Sequence, residues 1–120
     1  MNQLLNKLRS SFRYFHSIFM EDIRLKLNDV GRGAFVIESE GNPVAEMGIG
    51  IQNGNLTVYR TEVAEILKGQ GIASKLLPAM VAYAREKKLM VIALCPYVLA
   101  QFKRHSELYA DIWNKNWQQK

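Results

Sequence analysis

The chain has 120 residues, which favours a single domain, and nearly half of them are hydrophobic, enough for one core. Its formal net charge of +5 favours an anionic partner, either nucleic acid, an acidic membrane face or a polyphosphate ligand. The basic residues are scattered, which argues against a nucleic-acid-binding stripe. One cysteine excludes an internal disulfide and fits a reducing cytoplasm, so we expect a cytoplasmic protein. No run is long and apolar enough to span a bilayer, so no membrane-spanning segment is predicted.

Residues 1–20 are predicted to form an amphipathic helical extension in front of a domain spanning residues 21–120. Large apolar side chains recur there at helical spacing, with basic residues between them: Leu4, Leu5, Leu8, Phe12, Phe15 and Phe19. This pattern favours a helix that packs on the domain or on a second subunit in a homodimer. A helix lying on a membrane surface is the alternative.

Four strands are predicted next, over residues 22–27, 34–39, 44–51 and 56–63, because apolar and polar side chains alternate in each. Turn signals separate them, and Asn53-Gly54 is the strongest short hairpin signal in the chain. The alternation in the fourth strand is imperfect, which indicates either a β-bulge or burial on both faces.

The second half of the domain predicts a crossover. A glycine-containing turn precedes a helix over residues 72–87, in which Pro78 is expected to cause a bend, and a buried strand follows over residues 90–95. Two short helices are predicted over residues 97–104 and 107–114. The fold is therefore predicted to be mixed α/β (α+β), an antiparallel meander followed by one right-handed βαβ crossover.

The turn around Gly69 and Gly71 is the strongest indication of a ligand site. A strand that ends in a tight turn and opens a helix leaves backbone N–H groups unpaired at the positive end of the helix dipole, which suits a phosphate. The glycines are equally compatible with a simple turn. A Walker loop is absent, and a dinucleotide fingerprint would need glycine at Ser74 and an acidic residue at Cys95.

Several short segments together resemble a known family. Residues 63–73 resemble the acetyl-CoA-binding motif of the GNAT superfamily of N-acetyltransferases, Arg/Gln-x-x-Gly-x-Gly/Ala, with Lys68, Gly71 and Ala73 at the motif positions. Residues 59–63, 94–97 and 107–112 are similar to the small YjdJ-like branch. The resemblance covers roughly residues 22–113. One departure is Arg60, where that branch usually has histidine.

The resemblance implies a GNAT-like mixed sheet and acetyl-CoA, or CoA, as the co-substrate. Its pyrophosphate would be held by one run of backbone N–H groups and adjacent charge: Lys68, Gly69, Gln70, Gly71, Ile72, Ala73 and Ser74. The strand edge near Thr61 and Val63 would pair with the pantetheine arm, and an N–H there would polarise the acetyl carbonyl.

The resemblance also implies three candidate catalytic residues. Glu62 would be the general base, although an exposed, salt-bridged Glu62 is an alternative. Cys95 would either accept the acetyl group or line the CoA sulfur, and a purely structural cysteine remains open. Tyr97 would protonate the leaving thiolate or would simply pack in the core. No His, Cys, Asp and Glu residues share metal-ligand spacing, so no metal is predicted.

The function implied is an acetyl-CoA-dependent N-acetyltransferase that acts on an unidentified amine, either of a protein or peptide or of a small molecule. A non-catalytic CoA-binding module is the alternative. A nucleic-acid or membrane-surface protein is a third interpretation, based only on charge and on the amphipathic extension.

Overall fold

The computed structural model describes residues 23–118, so the predicted helical extension over residues 1–20 lies outside the described residues. Five strands form one sheet: β1 Ile23–Leu27, β2 Arg32–Ser39, β3 Asn42–Gln52, β4 Asn55–Val63 and β5 Met90–Ala93. Two α-helices accompany the sheet, α1 over Ala73–Glu86 and α2 over Pro96–Arg104, and a 3₁₀ turn spans Glu65–Leu67. Neither helix of this part of the chain is long and apolar enough to cross a membrane.

The strands lie in the sheet in the same order as in the sequence. The first four form an antiparallel meander, and β5 pairs with β4 in parallel after the α1 crossover. Two-residue turns join β2 to β3 and β3 to β4, because Ser39 faces Asn42 and Gln52 faces Asn55. The predicted mixed fold, including both hairpins and the parallel crossover pair, is confirmed.

A β-bulge interrupts β4 near its middle. Gly48 of β3 faces Arg60, but the next residue, Ile49, faces Val58, so Tyr59 is the extra residue on β4. Tyr59 and Arg60 are consecutive and both exposed, whereas Val58 is buried. The imperfect alternation left two explanations open, a bulge or burial on both faces, and the structure has the bulge. Beyond Tyr59, the side chains that face the core are shifted by one residue.

The core lies between the sheet and the two helices. One stripe of α1 is buried, and its side chains share a cluster with the sheet: Leu76, Leu77, Met80, Val81 and Ala84. The rings of Phe35 on β2 and Tyr83 on α1 meet edge to face with centroids 5.8 Å apart, which places α1 against that face of the meander. Pro78 lies on the exposed side of α1, and the helix continues through it.

The helix predicted over residues 107–114 is wrong, because this segment forms consecutive turns. Its two buried side chains, Tyr109 and Ile112, are three residues apart, which imitates a helical stripe. The backbone is used instead to cover the outer edge of β5. Val91 donates its N–H to the Ile112 carbonyl at 2.6 Å, and Val91's own carbonyl accepts from Asn114 at 2.9 Å. In a continuous helix the Asn114 N–H would bond to the Ala110 carbonyl and could not pair with β5.

Arg85, at the end of α1, holds the same segment from the other side. Its guanidinium donates to both carboxylate oxygens of Asp111, at 2.9 and 3.1 Å, and to the Leu108 carbonyl at 2.8 Å. The hydrogen bond from Arg85 lowers the pKa of Asp111 below its ordinary value. A bidentate pair of this kind fixes orientation as well as charge.

Candidate functional site

The parallel strands β4 and β5 part halfway along β4. Their pairing ends at Val58 and Ala93, where the N–H groups of both Leu94 and Cys95 donate to the Val58 carbonyl, at 3.0 and 2.8 Å. Residues 59–63 therefore have no β5 neighbour, and we call them the open edge. At about 3.3 Å per residue, this edge is about 16 Å long.

The hydrogen-bond pattern identifies which backbone groups point to the open edge. Ala64 donates its N–H to the Val44 carbonyl on β3 at 2.8 Å. Because the groups of an antiparallel strand point alternately to either side, those of Glu62 also face β3, whereas those of Thr61 and Val63 face away from it. Thr61 and Val63 thus offer N–H and carbonyl groups to any extended chain that adds to β4.

The turn before α1 offers a second set of open backbone groups. Gly69 and Gly71 have φ values of 82° and 73°, the left-handed region that glycine adopts without strain. Within the described chain, no oxygen accepts from the six backbone N–H groups of residues 69–74, which we call the amide cluster. Lys75 donates its N–H to the Ile72 carbonyl at 3.0 Å, so it is the first residue after the cluster whose N–H has an acceptor. The dipole of α1 reinforces the positive potential there.

The side chains around the amide cluster leave it exposed. Ser74 donates its hydroxyl to the Gly71 carbonyl at 2.6 Å, so it occupies an acceptor in the turn and none of the N–H groups. Lys68 is paired with Glu65 at 2.8 Å, and that hydrogen bond raises the pKa of Lys68 above its ordinary value. Both side chains are well exposed, so this pair can open at little cost.

Thr61, Cys95 and Tyr97 lie on one side of β4. The Thr61 hydroxyl oxygen is 3.3 Å from the Cys95 sulfur, and Cys95 is only 2% exposed. Tyr97 follows in the first turn of α2 and is half-buried. Burial, with smaller contributions from Tyr109 and Cys95, raises the pKa of Tyr97 above its ordinary value. Tyr97 is therefore a neutral phenol near the Cys95 thiol.

Glu62 lies on the opposite side of β4 from Thr61 and Cys95. Arg60 donates from Nε to Glu62 and from Nη2 to Glu46 of β3, both at 2.8 Å. Gly48 leaves the space for this guanidinium, which a Cβ at that position would overlap. The structure thus separates Glu62 from the other two candidate catalytic side chains and gives it an ion pair, with 63% of its side chain exposed.

A shallow cavity of about 310 Å³ adjoins Glu62 at the end of the open edge. Its lining comes from the facing ends of β3 and β4: Pro43, Val44, Ala45, Glu46, Glu62, Val63 and Ala64. Glu46 and Gly48 were not among the site residues predicted from the sequence. Only the β3–β4 register, including the bulge, reveals that they lie opposite Glu62 and Arg60. Among the residues that the structure describes, no three potential metal ligands come together.

Comparisons with known proteins identify the family and the fold. Residues 34–112 match the family of GCN5-related N-acetyl-transferases. The chain is similar to a GCN5-like protein from Staphylococcus aureus, assigned as an N-acetyltransferase, with 30% identity over 77% of this chain and 88% of that one and a TM-score of 0.57. A ribosomal-protein-alanine N-acetyltransferase from Brucella melitensis shares the fold, with 19% identity over 68% of this chain and 64% of that one and a TM-score of 0.51. No curated protein matches significantly.

Proposed function

The chain belongs to the GCN5-related N-acetyltransferase family and is an acyltransferase, and we propose that it transfers an acetyl group from acetyl-CoA to an amine. The observation that carries this proposal is the amide cluster, because six N–H groups without acceptors in the described chain, at the start of a helix, suit a diphosphate. The open edge supports it independently, since it offers a strand-like partner for an extended, amide-containing arm.

We propose that acetyl-CoA binds along the amide cluster first and then along the open edge. Its pyrophosphate binds residues 69–74, and its pantetheine arm adds to the open edge beside Thr61 and Val63. The sulfur then lies near Cys95, where β4 and β5 part. Lys68 turns from Glu65 towards the phosphates, and the exposure of both side chains makes this exchange inexpensive.

Direct transfer is the chemistry that this arrangement supports best. The amine nitrogen forms a bond to the acetyl carbon, and a backbone N–H of the open edge stabilises the oxyanion that develops. The amine approaches through the cavity beside Glu46, and Glu62 takes the proton that the amine loses. As the carbon–sulfur bond breaks, Tyr97 gives its proton to the CoA sulfur.

In this scheme, Cys95 lines the sulfur without forming an acyl intermediate. Its thiol is buried and is within hydrogen-bond distance of Thr61, so an acetyl group attached there would have to displace packed neighbours. Three points stay predictions. They are membership of the YjdJ-like branch, an amine of a protein, peptide or small molecule as the acceptor, and self-association through residues 1–20.

Calorimetric titration with acetyl-CoA, CoA and ATP tests the cofactor assignment. We expect saturable binding of the first two and at least about tenfold weaker binding of ATP, because only the CoA compounds carry the arm that fills the open edge. Turnover of acetyl-CoA with a panel of peptide and small amines then tests transfer. Equal affinity for ATP, or no binding of any of the three, would refute the assignment.

A matched pair of glycine variants tests the amide cluster itself. Gly71 and Gly54 both have positive φ, at 73° and 79°, so alanine at either position causes similar backbone strain. We expect Gly71→Ala to weaken acetyl-CoA binding about tenfold, because its methyl group and the displaced peptide disturb the anion site. Gly54→Ala, in the distant β3–β4 turn, should bind normally. Equal behaviour of the two variants would contradict the assignment.

A further inference from the structure

A groove on the outer flank of α2 contains both tryptophans of the chain. It is an open cavity of about 370 Å³ between α2, the end of β5 and the segment after residue 112. Its apolar walls are formed by Leu94, Leu99, Trp113 and Trp117, and its two cationic side chains are Lys103 and Lys115. We call it the tryptophan groove. Leu94, 43% exposed, is among the large apolar side chains left in solvent.

The tryptophan groove is separate from the proposed acyl-transfer site. Leu99 and Lys103 are one helical turn apart and share a flank of α2. Tyr97 is two residues from Leu99, so it projects about 200° around the helix, on a different flank from the groove. A molecule in the groove therefore need not compete with the cofactor at the open edge, and the inference does not depend on the proposed function.

The charges of the tryptophan groove are unbalanced. Within residues 23–118, no carboxylate lies within ion-pair distance of Lys103 or Lys115. The ammonium of Lys115 lies 4.8 Å from the centre of the Trp113 ring, which holds a cation beside an aromatic wall. Two cations that have no carboxylate partner in the described part of the chain, beside apolar walls, are complementary to a group that is both apolar and anionic.

We propose that the tryptophan groove binds a peptide segment of a partner protein in which a large apolar side chain lies next to carboxylates. The apolar side chain packs between Trp113, Trp117 and Leu99, and the carboxylates pair with Lys103 and Lys115. The groove is partly open to solvent, so an extended segment can reach it from the surface. Aromatic and apolar anchors flanked by charge are the usual elements of such binding sites.

Intrinsic fluorescence gives a local test, because the chain has two tryptophans and both line the groove. The full chain is titrated with three end-blocked peptides: Glu-Leu-Phe-Glu, Lys-Leu-Phe-Lys and Glu-Gly-Ser-Glu. We expect a saturable change in tryptophan emission with the first peptide, weakened about fivefold or more between low and high salt because exposed charges are screened. The other two should bind at least about tenfold more weakly.

Charge reversal assigns the response to the groove. The Lys103→Glu/Lys115→Glu variant should lose binding of Glu-Leu-Phe-Glu by about tenfold or more and should gain binding of Lys-Leu-Phe-Lys. Arg104→Glu changes the same helix at the adjacent position, on another flank, and should bind as the natural chain does. Both lysines are exposed, so the variant should fold, which far-ultraviolet circular dichroism checks.

Calorimetry with acetyl-CoA should give the same affinity for the lysine variant and the natural chain, which separates this test from that of the cofactor site. Three outcomes overturn the proposal. One is no saturable fluorescence change with Glu-Leu-Phe-Glu, and another is equal binding of the acidic and basic peptides. The third is saturation by phenylacetate at lower concentration than by the peptide, which would make the groove a small-molecule site.

Discussion

The two faces of β4 beyond its bulge differ in almost every physical property. On one face, Thr61 contacts the buried thiol of Cys95, and the half-buried phenol of Tyr97 lies near that thiol. On the other face, Arg60 connects Glu62 and Glu46 in an exposed ion-pair array over Gly48. The first face is more buried and carries no charge, and we call it the dry face; the second is charged and exposed, and we call it the wet face.

This difference separates the roles that an acyl-transfer reaction needs. The neutral phenol of Tyr97 retains its proton on the dry face and can donate it, whereas the exposed carboxylate of Glu62 on the wet face is the group placed to accept one. The open edge lies between the two faces, with the backbone groups of Thr61 and Val63 directed along the sheet. Glu62 of β4 and Tyr97 of α2 could thus act on one thioester from opposite sides of β4.

The largest effect should come from the wet face. We expect Glu62→Gln to lower kcat/KM about 100-fold or more, because the amide cannot take the proton of the amine. Glu46→Gln is the matched control, since Glu46 binds the same guanidinium and lines the same cavity. It should lower kcat/KM by less than about threefold. Steady-state rates with one accepted amine measure both variants, and equal losses would leave Glu62 without a base role.

A smaller effect is expected on the dry face, from Tyr97→Phe. Loss of the phenol should lower the turnover number about tenfold to 100-fold with little change in KM, because proton donation to the sulfur matters only as the bond breaks.

The pH dependence sharpens the assignment of Tyr97. Its raised pKa keeps the phenol protonated across the neutral range, and its contribution is lost only as the pH rises through that raised value. The ratio of natural to variant rates should therefore be equal at pH 7 and pH 9. A ratio that falls towards unity by pH 9 would assign the proton to another group.

The sequence predicted the elements that build this site better than it predicted the site's two faces. The Asn53-Gly54 hairpin and the glycine turn follow from local chemistry, and both β-hairpins, β2–β3 and β3–β4, are confirmed. Counting back from that hairpin without a bulge would place Glu46 opposite Thr61. The extra residue, Tyr59, moves Glu46 opposite Glu62, and alternation alone does not reveal which residue is extra.

Long-range contacts account for the other differences. Tyr109 and Ile112 have helical spacing, but Arg85 and the outer edge of β5 decide the backbone of that segment. Both partners are distant in sequence, so no local pattern signals them. The sequence left open whether Glu62 is a base or an exposed, salt-bridged residue. Its ion pair depends on Arg60, whose guanidinium occupies the space that a side chain at Gly48 would fill.

Proline substitutions test whether the open edge is used by the cofactor. Val63→Pro removes an N–H group that faces away from β3, so the sheet should tolerate it, and acetyl-CoA affinity should fall about tenfold for one lost hydrogen bond. Glu62→Pro removes an N–H group that faces β3 and should instead lower the melting temperature. Calorimetry and thermal unfolding separate the two. An unchanged affinity in Val63→Pro would mean that the arm does not pair there.

The smallest effect is expected from Cys95→Ala. If Cys95 only lines the CoA sulfur, the turnover number of the variant should stay within about threefold of the natural value. Intact-protein mass spectrometry of the natural chain with acetyl-CoA should then reveal no acetylated Cys95. The stability of the variant should decrease modestly, because the smaller side chain leaves a gap beside Thr61.

Thr61→Val is the matched control for Cys95→Ala, since it removes the oxygen near the sulfur while retaining the volume of the side chain. The contrary outcome is a turnover number at least about 100-fold lower in Cys95→Ala alone, together with an acetylated intermediate in the natural chain. That result would replace direct attack by the amine with attack by the thiol, and both half-reactions would then take place on the dry face.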